Sequence, residues 1–322
     1  MTTNNPHPNL HFKSISYASP NEATRLIVTG AVHGNETCGT KAILRVMGEL
    51  DSGALAIARG RVTFVPVTNP LAYAKGERSG ERNLNRNLGP VENPADFEDR
   101  VANWLGPLLA QHEVLLDLHS TRADAGPFAM LGPRDNDGPL EPYRHSAKER
   151  GLARVLGVRR FVEGWLATYE KGVRRRVAEG RGSRLNTDPR YGVGTTEYMR
   201  SVGGCAMTLE CGQHEDPQSP EVAYRAIRNA LAFLGMVDAP VPAAVDRYEA
   251  LKLTDVIDRD HPDDKFAREW TSFDRLAQGD LIATRHDGTK LIAPEDGWIV
   301  FPDFKAQPGH EWYYLAAAIP SI

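Results

Sequence analysis

Residues 25–36 read RLIVTGAVHGNE. The first eight form a short run rich in Ile and Val, bounded by Gly30 and Gly34. Such a run suits a strand covered on both faces, as in a parallel sheet. It delivers the chain straight into His33-Gly34-Asn35-Glu36. Open α/β sheets gather their ligands at the carboxyl ends of the strands. A histidine and a glutamate three apart, read here as the first turn of a helix, project from one face. They make a compact two-ligand metal site. Gly34 and Gly39 also frame a GxxxxG spacing, but Thr40 stands where a phosphate loop needs its lysine.

Outward from this stretch, Ala42, Ile43, Val46, Met47 and Leu50 fall at helical spacing. RVTFVPV (61–67) reads as a second strand, with Pro66 marking an edge or an end. Phe97, Val101, Trp104, Leu105 and Leu108 form a helical stripe that Gly106-Pro107 is expected to break or kink. EVLLDL (113–118) and CAMTL (205–209) supply a third and a fourth strand. Ser219-Pro220-Glu221 reads as a helix start, with serine as N-cap, proline in the first turn and an acid at the positive end of the dipole. Strands alternating with helices predict an α/β fold, a mainly parallel mixed sheet with helices on both faces. That catalytic domain is expected over residues 1–236. VDAPVPAA (237–244) reads as a linker. Short β-like runs around Asp287-Gly288 and Asp296-Gly297 then predict a small all-β domain over 245–322.

Composition narrows the function. The chain has 322 residues, 41% of them hydrophobic, enough for a full core and too apolar for disorder. No uncharged apolar run approaches the roughly 20 residues of a membrane helix. The polar, proline-containing first twenty residues do not read as a signal peptide. Three cysteines, Cys38, Cys205 and Cys211, fit no disulfide or metal spacing and read as buried thiols in a reducing cytoplasm. A net charge of −4 argues against a nucleic-acid binder. The basic stretch Arg154–Arg184 reads as a solvated face or a rim that attracts anions.

Three further pieces complete a chemistry. Asp117-Leu118-His119-Ser120 closes the third strand, so His119 opens onto the same sheet edge as His33. Zinc takes nitrogen and carboxylate ligands and keeps one position open in catalytic sites. His33, Glu36 and His119 would supply such a set. Glu210, ending the fourth strand in TLECGQH, is a carboxylate outside that set that could take a proton from bound water. RSGERNLNR (78–86) follows the second strand; its arginines and asparagines suit a carboxylate ligand.

The order HGNE, RxxxxNLNR, DLHS, TLECG resembles the zinc carboxypeptidase superfamily, and within it the succinylglutamate desuccinylase/aspartoacylase branch, over residues from about 25 to 235. The small β domain is also similar to one that this branch carries. The resemblance implies one zinc per chain on His33, Glu36 and His119, with Glu210 as general base. It implies Arg78 as the arginine that polarises the scissile carbonyl, and Asn85 and Arg86 as the clamp on a substrate carboxylate. Arg200, ten residues before Glu210, matches a further substrate-carboxylate arginine. The substrate tyrosine has no clear counterpart; Tyr198, Tyr313 and Tyr314 are candidates. The expected activity is hydrolysis of the amide of an N-acylated amino acid or related carboxylate-bearing small molecule in the cytoplasm. The alternative is a metallocarboxypeptidase acting on peptide C-termini. No nucleic-acid or membrane partner is expected, and homo-oligomerisation is left open.

Overall fold

The computed structural model, which describes residues 9–123, 125–181 and 187–322, turns RLIVTG into a buried inner strand. The first eight residues and Arg184 of the basic stretch lie outside the described residues. The strands are β1 (Ile15–Ala18), β2 (Arg25–Gly30), β3 (Arg61–Val65), β4 (Val114–Thr121), β5 (Phe128–Leu131), β6 (Arg160–Glu163) and β7 (Cys205–Gln213), followed by β8 (Glu249–Asp258), β9 (Lys265–Phe266), β10 (Arg275–Leu276), β11 (Leu281–Thr284), β12 (Lys290–Ile292), β13 (Gly297–Val300) and β14 (Glu311–Ala318). The helices are α1 (Cys38–Asp51), α2 (Pro70–Lys75), α3 (Phe97–Leu109), α4 (Ser146–Ala153), α5 (Trp165–Ala178), α6 (Thr195–Ser201) and α7 (Ser219–Phe233).

One sheet has the order β1-β3-β2-β4-β7-β5-β6-β8-β14-β13-β10. Its heart, β3-β2-β4-β7, is parallel, as the apolar runs predict. Side chains alternate across it. Leu26, Val28, Leu116 and Met207 pack under α1 and α7 on one face. Ile27, Leu115 and Ala206 pack against α3 on the other. The residues after 245 join this sheet where β8 pairs in parallel with β6, and β14, β13 and β10 continue it antiparallel. β12-β11-β9 form a separate three-stranded sheet. Arg176 of α5 clamps Asp258 of β8 through two hydrogen bonds of 2.8 and 2.7 Å. Among the described residues, no helix is long and apolar enough to cross a membrane.

Three local expectations change. Helix α3 runs through Pro107 without a break; only one backbone bond is lost, and the stripe of Val101, Ala102, Leu105 and Leu109 buries the helix on both sides of it. Ser219 is the first helical residue rather than the cap, and its hydroxyl donates to the Gln213 carbonyl at 2.9 Å. His33 and Glu36 lie in the turn before α1, not on its first turn.

Candidate functional site

Register places the site. β2 and β4 run side by side with Gly30 opposite Leu118, and β4 and β7 with His119 opposite Glu210. The chain leaving β2 turns sharply at Ala31, whose φ of +48° is left-handed, a conformation that costs a non-glycine residue of order 1 kcal/mol. Gly34 then lies flat on the start of α2. A Cβ there would sit 2.0 Å from the Ala72 carbonyl carbon, so only glycine lets the turn close. The close approach brings Glu36 back between the two histidines.

The donor atoms of His33, Glu36 and His119 all lie within 4.8 Å of one another, in a buried cluster. His119 Nδ1 stands 2.8 Å from Glu36 Oε2, and His33 Nδ1 2.9 Å from Glu36 Oε1. The two rings meet nearly edge to face, with centroids 5.0 Å apart. Their far nitrogens are already engaged. His119 Nε2 faces the Asp117 carboxylate at 2.9 Å, and His33 Nε2 faces Asn83 Oδ1 at 3.0 Å. Both partners accept, so each Nε2 carries a proton, and each Nδ1 aims inward at Glu36, where its lone pair becomes available to a cation that displaces any proton on it. At His33 that nitrogen is within ion-pair distance of Glu36 yet off the line of a hydrogen bond, and it has no hydrogen-bond partner. Two inward imidazole nitrogens converging with one carboxylate make a donor set that suits a cation. Two imidazoles and a carboxylate, with orienting partners behind both rings, fit zinc with a position left for water.

The ionisable groups of the cluster shift one another strongly. Burial alone would discharge Glu36, but His33 and His119 hold its carboxyl well below the usual range. Burial also opposes charge on His119, yet Asp117 and Glu36 reverse it and push the imidazole well above its ordinary value. Burial and the Arg78 guanidinium pull His33 down to about 4. Glu210 is 9% exposed, its Oε2 has no hydrogen-bond partner, and burial pushes it up to about 7 against the pull of His119.

The arginine loop arrives from the other side. Arg78 is half exposed and donates from Nη1 to Glu36 Oε1 at 3.0 Å. Its loop is gripped by Glu98 of α3, which is fully buried and accepts from the backbone N–H groups of Gly80, Glu81 and Arg82 and from Asn69 Nδ2. Asn85 Oδ1 accepts from the Thr195 N–H at 2.9 Å. The Arg86 guanidinium lies over the Trp165 indole, 4.8 Å from its centroid. Trp165 in turn packs against Tyr314 with centroids 5.3 Å apart, and the buried Tyr314 hydroxyl has no partner. Of the three tyrosines, Tyr314 therefore stands beside Arg86. Tyr198 packs on the α3 cluster and Tyr313 in the cluster of the C-terminal strands.

The structure does not bring Arg200 to this cluster. Its guanidinium is buried and donates to Glu149, Glu141, Glu197 and the Ala206 carbonyl. Ala206 lies four residues before Glu210 on β7, roughly 13 Å along an extended strand. All three guanidinium nitrogens are spent on internal partners, which leaves none for a substrate carboxylate. Asp117 and Asn83 were given no role by the sequence reading. Each had a signal: Asp117 lies two before His119 on a strand and so shares its face, and Asn83 lies two before Asn85 within the arginine loop. Thr195 and Trp165 left no local signal; they reach the site only through the packing of α6 and α5.

Residues 22–147 match the model of the succinylglutamate desuccinylase/aspartoacylase catalytic domain. The chain is 27% identical over 307 residues to succinylglutamate desuccinylase of Pseudomonas paraeruginosa, covering 88% of this chain and 81% of that one. Through that domain model and this relative the chain is similar to the succinylglutamate desuccinylase/aspartoacylase family. A segment of 118 residues is 36% identical to the N-acyl-aromatic-L-amino acid amidohydrolase (carboxylate-forming) of Rattus norvegicus, covering 32% of this chain and 35% of that one. The fold is shared with the succinylglutamate desuccinylase/aspartoacylase structure from Rhodobacter sphaeroides, at a TM-score of 0.70 and 16% identity, covering 96% of this chain and 90% of that one. The family model ends before Glu210, so the base candidate rests on the strand register described above.

Proposed function

We propose that this chain is a zinc-dependent deacylase that hydrolyses the amide bond of an N-acylated amino acid or related carboxylate-bearing small molecule, with one zinc per chain. The observation that carries the reading is the convergence of two imidazole Nδ1 atoms and Glu36 beside Glu210, a buried carboxylate with one oxygen free. The names of the desuccinylase and amidohydrolase relatives support the substrate class.

His33, Glu36 and His119 would hold the zinc, which when bound supplies a Lewis acid and a water of lowered pKa. Asp117 and Asn83 fix the rings so that both Nδ1 atoms keep their aim. Glu210 takes the proton of the attacking water on Oε2 and passes it to the leaving nitrogen. A carboxyl pushed up to about 7 can both accept and return a proton near neutrality. Arg78, at the mouth of the site, donates to the carbonyl oxygen as negative charge develops on it. Asn85 and Arg86 hold the substrate carboxylate, and the Trp165 face beneath Arg86 keeps its guanidinium oriented. Residues 1–236 thereby supply the chemistry, and residues 245–322 wall the cleft through Tyr314. The three free, buried thiols support a cytoplasmic setting.

The test couples metal analysis to a panel of N-acetyl, N-succinyl and N-formyl amino acids, with a peptide panel beside it. Zinc near one per chain and turnover of an N-acyl amino acid are expected. Glu210→Gln should keep the zinc and lose about 10²–10⁴ in turnover; unchanged turnover would remove Glu210 from the mechanism. Release of C-terminal residues from peptides, with no N-acyl turnover, would place the chain among metallocarboxypeptidases instead.

A further inference from the structure

His214 lies just beyond Glu210, where the backbone N–H of residue 214 donates to the Thr121 carbonyl at 2.9 Å and keeps β7 joined to β4 past the last ladder pair. The imidazole is partly buried, and both its nitrogens face side chains that flank the metal ligands. Nδ1 is 2.9 Å from the Ser120 hydroxyl, and Nε2 is 3.4 Å from the Asn35 amide. Ser120 follows His119 directly, and its own N–H donates to Glu36 Oε2 at 3.3 Å. Asn35 lies between His33 and Glu36, and its amide oxygen is buried without a partner. One ring just past the strand of Glu210 therefore touches the residue before Glu36, itself two after His33, and the residue after His119. A neutral imidazole has one donor and one acceptor, so it can answer whichever end of the Asn35 amide faces it.

We propose that His214 is a positioning residue for the metal centre: its ring ties the His33–Glu36 turn to the end of β4 and so fixes the spacing between His33, Glu36 and His119. The inference rests on the zinc reading above. The ligand-bearing turn is a short excursion between β2 and α1, anchored on its far side by Gly34 against α2. Beyond the ligands' own contacts, the His214 ring is the side-chain tie between Asn35 and Ser120. Partners behind metal ligands typically contribute about 10–100-fold in metal affinity.

The experiment measures zinc dissociation by competition with a chromophoric chelator, and the visible absorption of the cobalt-substituted chain. His214→Ala should weaken zinc binding by about 10–100-fold and alter the cobalt band. Ser120→Ala should shift affinity the same way, and the double variant should lose little more, because either change breaks the one Asn35–His214–Ser120 tie. His214→Asn places an amide near the Nδ1 position and should recover to within about threefold of wild type, well inside the loss expected for alanine. It also serves if the alanine variant folds poorly. Zinc affinity within about twofold of wild type in His214→Ala, short of what a partner behind a ligand contributes, would overturn the proposal. So would a loss of kcat/KM with zinc affinity and cobalt spectrum unchanged, which would mean that the ring acts on substrate. A wild-type chain that takes up no zinc defeats the metal reading itself, and this inference with it.

Discussion

Glu98 offers the sharpest test of how the arginine loop is held. Its carboxylate is fully buried on α3 and accepts from Asn69 Nδ2 at 2.8 Å, Gly80 N at 2.8 Å, Glu81 N at 3.1 Å and Arg82 N at 3.2 Å. Glu98→Ala leaves three backbone N–H groups and one amide without an acceptor. A hydrogen bond to a charged group contributes about 1.5–3 kcal/mol, so four would sum to roughly 6–12 kcal/mol. The loop at residues 79–82 is only partly buried and can turn to water, which limits the real loss to about 3–5 kcal/mol. Urea unfolding should read that loss directly. The second readout is catalytic. Arg78, Asn85 and Arg86 hang from the same loop, and a displacement of about 1 Å can cost roughly 10² in rate. The kcat/KM of Glu98→Ala should fall on that order, and zinc affinity by no more than about 10–100-fold, the cost of displacing Asn83 from behind His33, because none of the three ligands sits on the loop. Glu98→Gln keeps one acceptor oxygen and should lose less on both counts. A stability within about 1 kcal/mol of wild type, or an unchanged kcat/KM in a folded variant, would refute the role assigned to Glu98.

Gly34→Ala places a Cβ 2.0 Å from the Ala72 carbonyl carbon, inside any tolerable contact. The turn must move by more than the few tenths of an ångström that metal geometry allows, so zinc affinity should collapse at a stability loss of about 1–3 kcal/mol, read by chelator competition and thermal melting. A second case concerns Arg200, whose one positive charge is surrounded by Glu141, Glu149 and Glu197. Burial raises Glu141 to about 7 although Arg200 pulls the other way. The folded chain then binds more protons than the unfolded one between the ordinary glutamate value and about 7, so stability falls as pH rises through that window. Glu141→Gln should flatten the decline, by about 1–3 kcal/mol between pH 5 and 8 in urea titrations; parallel pH profiles would count against it.

The fold was legible wherever burial is two-sided. RLIVTG, VLLDL and CAMTL are apolar throughout because both faces are covered, and the stripes of α1, α3 and α7 repeat at 3.6 residues because one face is. The candidate cluster was legible for a related reason: residues at or just past the ends of adjacent parallel strands meet at one edge, so His33, His119 and Glu210 could be brought together without coordinates. Arg200 was misleading because spacing along the chain does not reveal direction. α6 lies before β7, and its arginine points toward the strand's starting end, where the buried glutamates wait. Trp165 and Thr195 were hidden because they come from elements far in sequence from the arginine loop, and Tyr314 could not be told from Tyr198 and Tyr313 because only the sheet extension through β8 and β14 sets it against Trp165.

That extension has a mechanical consequence. β6 and β8 pair through their backbones from Arg160↔Glu249 to Glu163↔Lys252, and β8 and β14 from Asp258 to Leu251. The side of the cleft that carries Tyr314 is thus welded to its floor by a continuous ladder, and swinging it outward would break a row of hydrogen bonds. Substrate admission cannot work by opening two bodies about a hinge at this seam. Any opening has to come from side chains and segments that rim the cleft without joining the ladder. Arg78 sits beside the arginine loop half in solvent, while His33 and His119 below it are buried, so under the proposed mechanism the residue at the open rim would also be the one that meets the carbonyl.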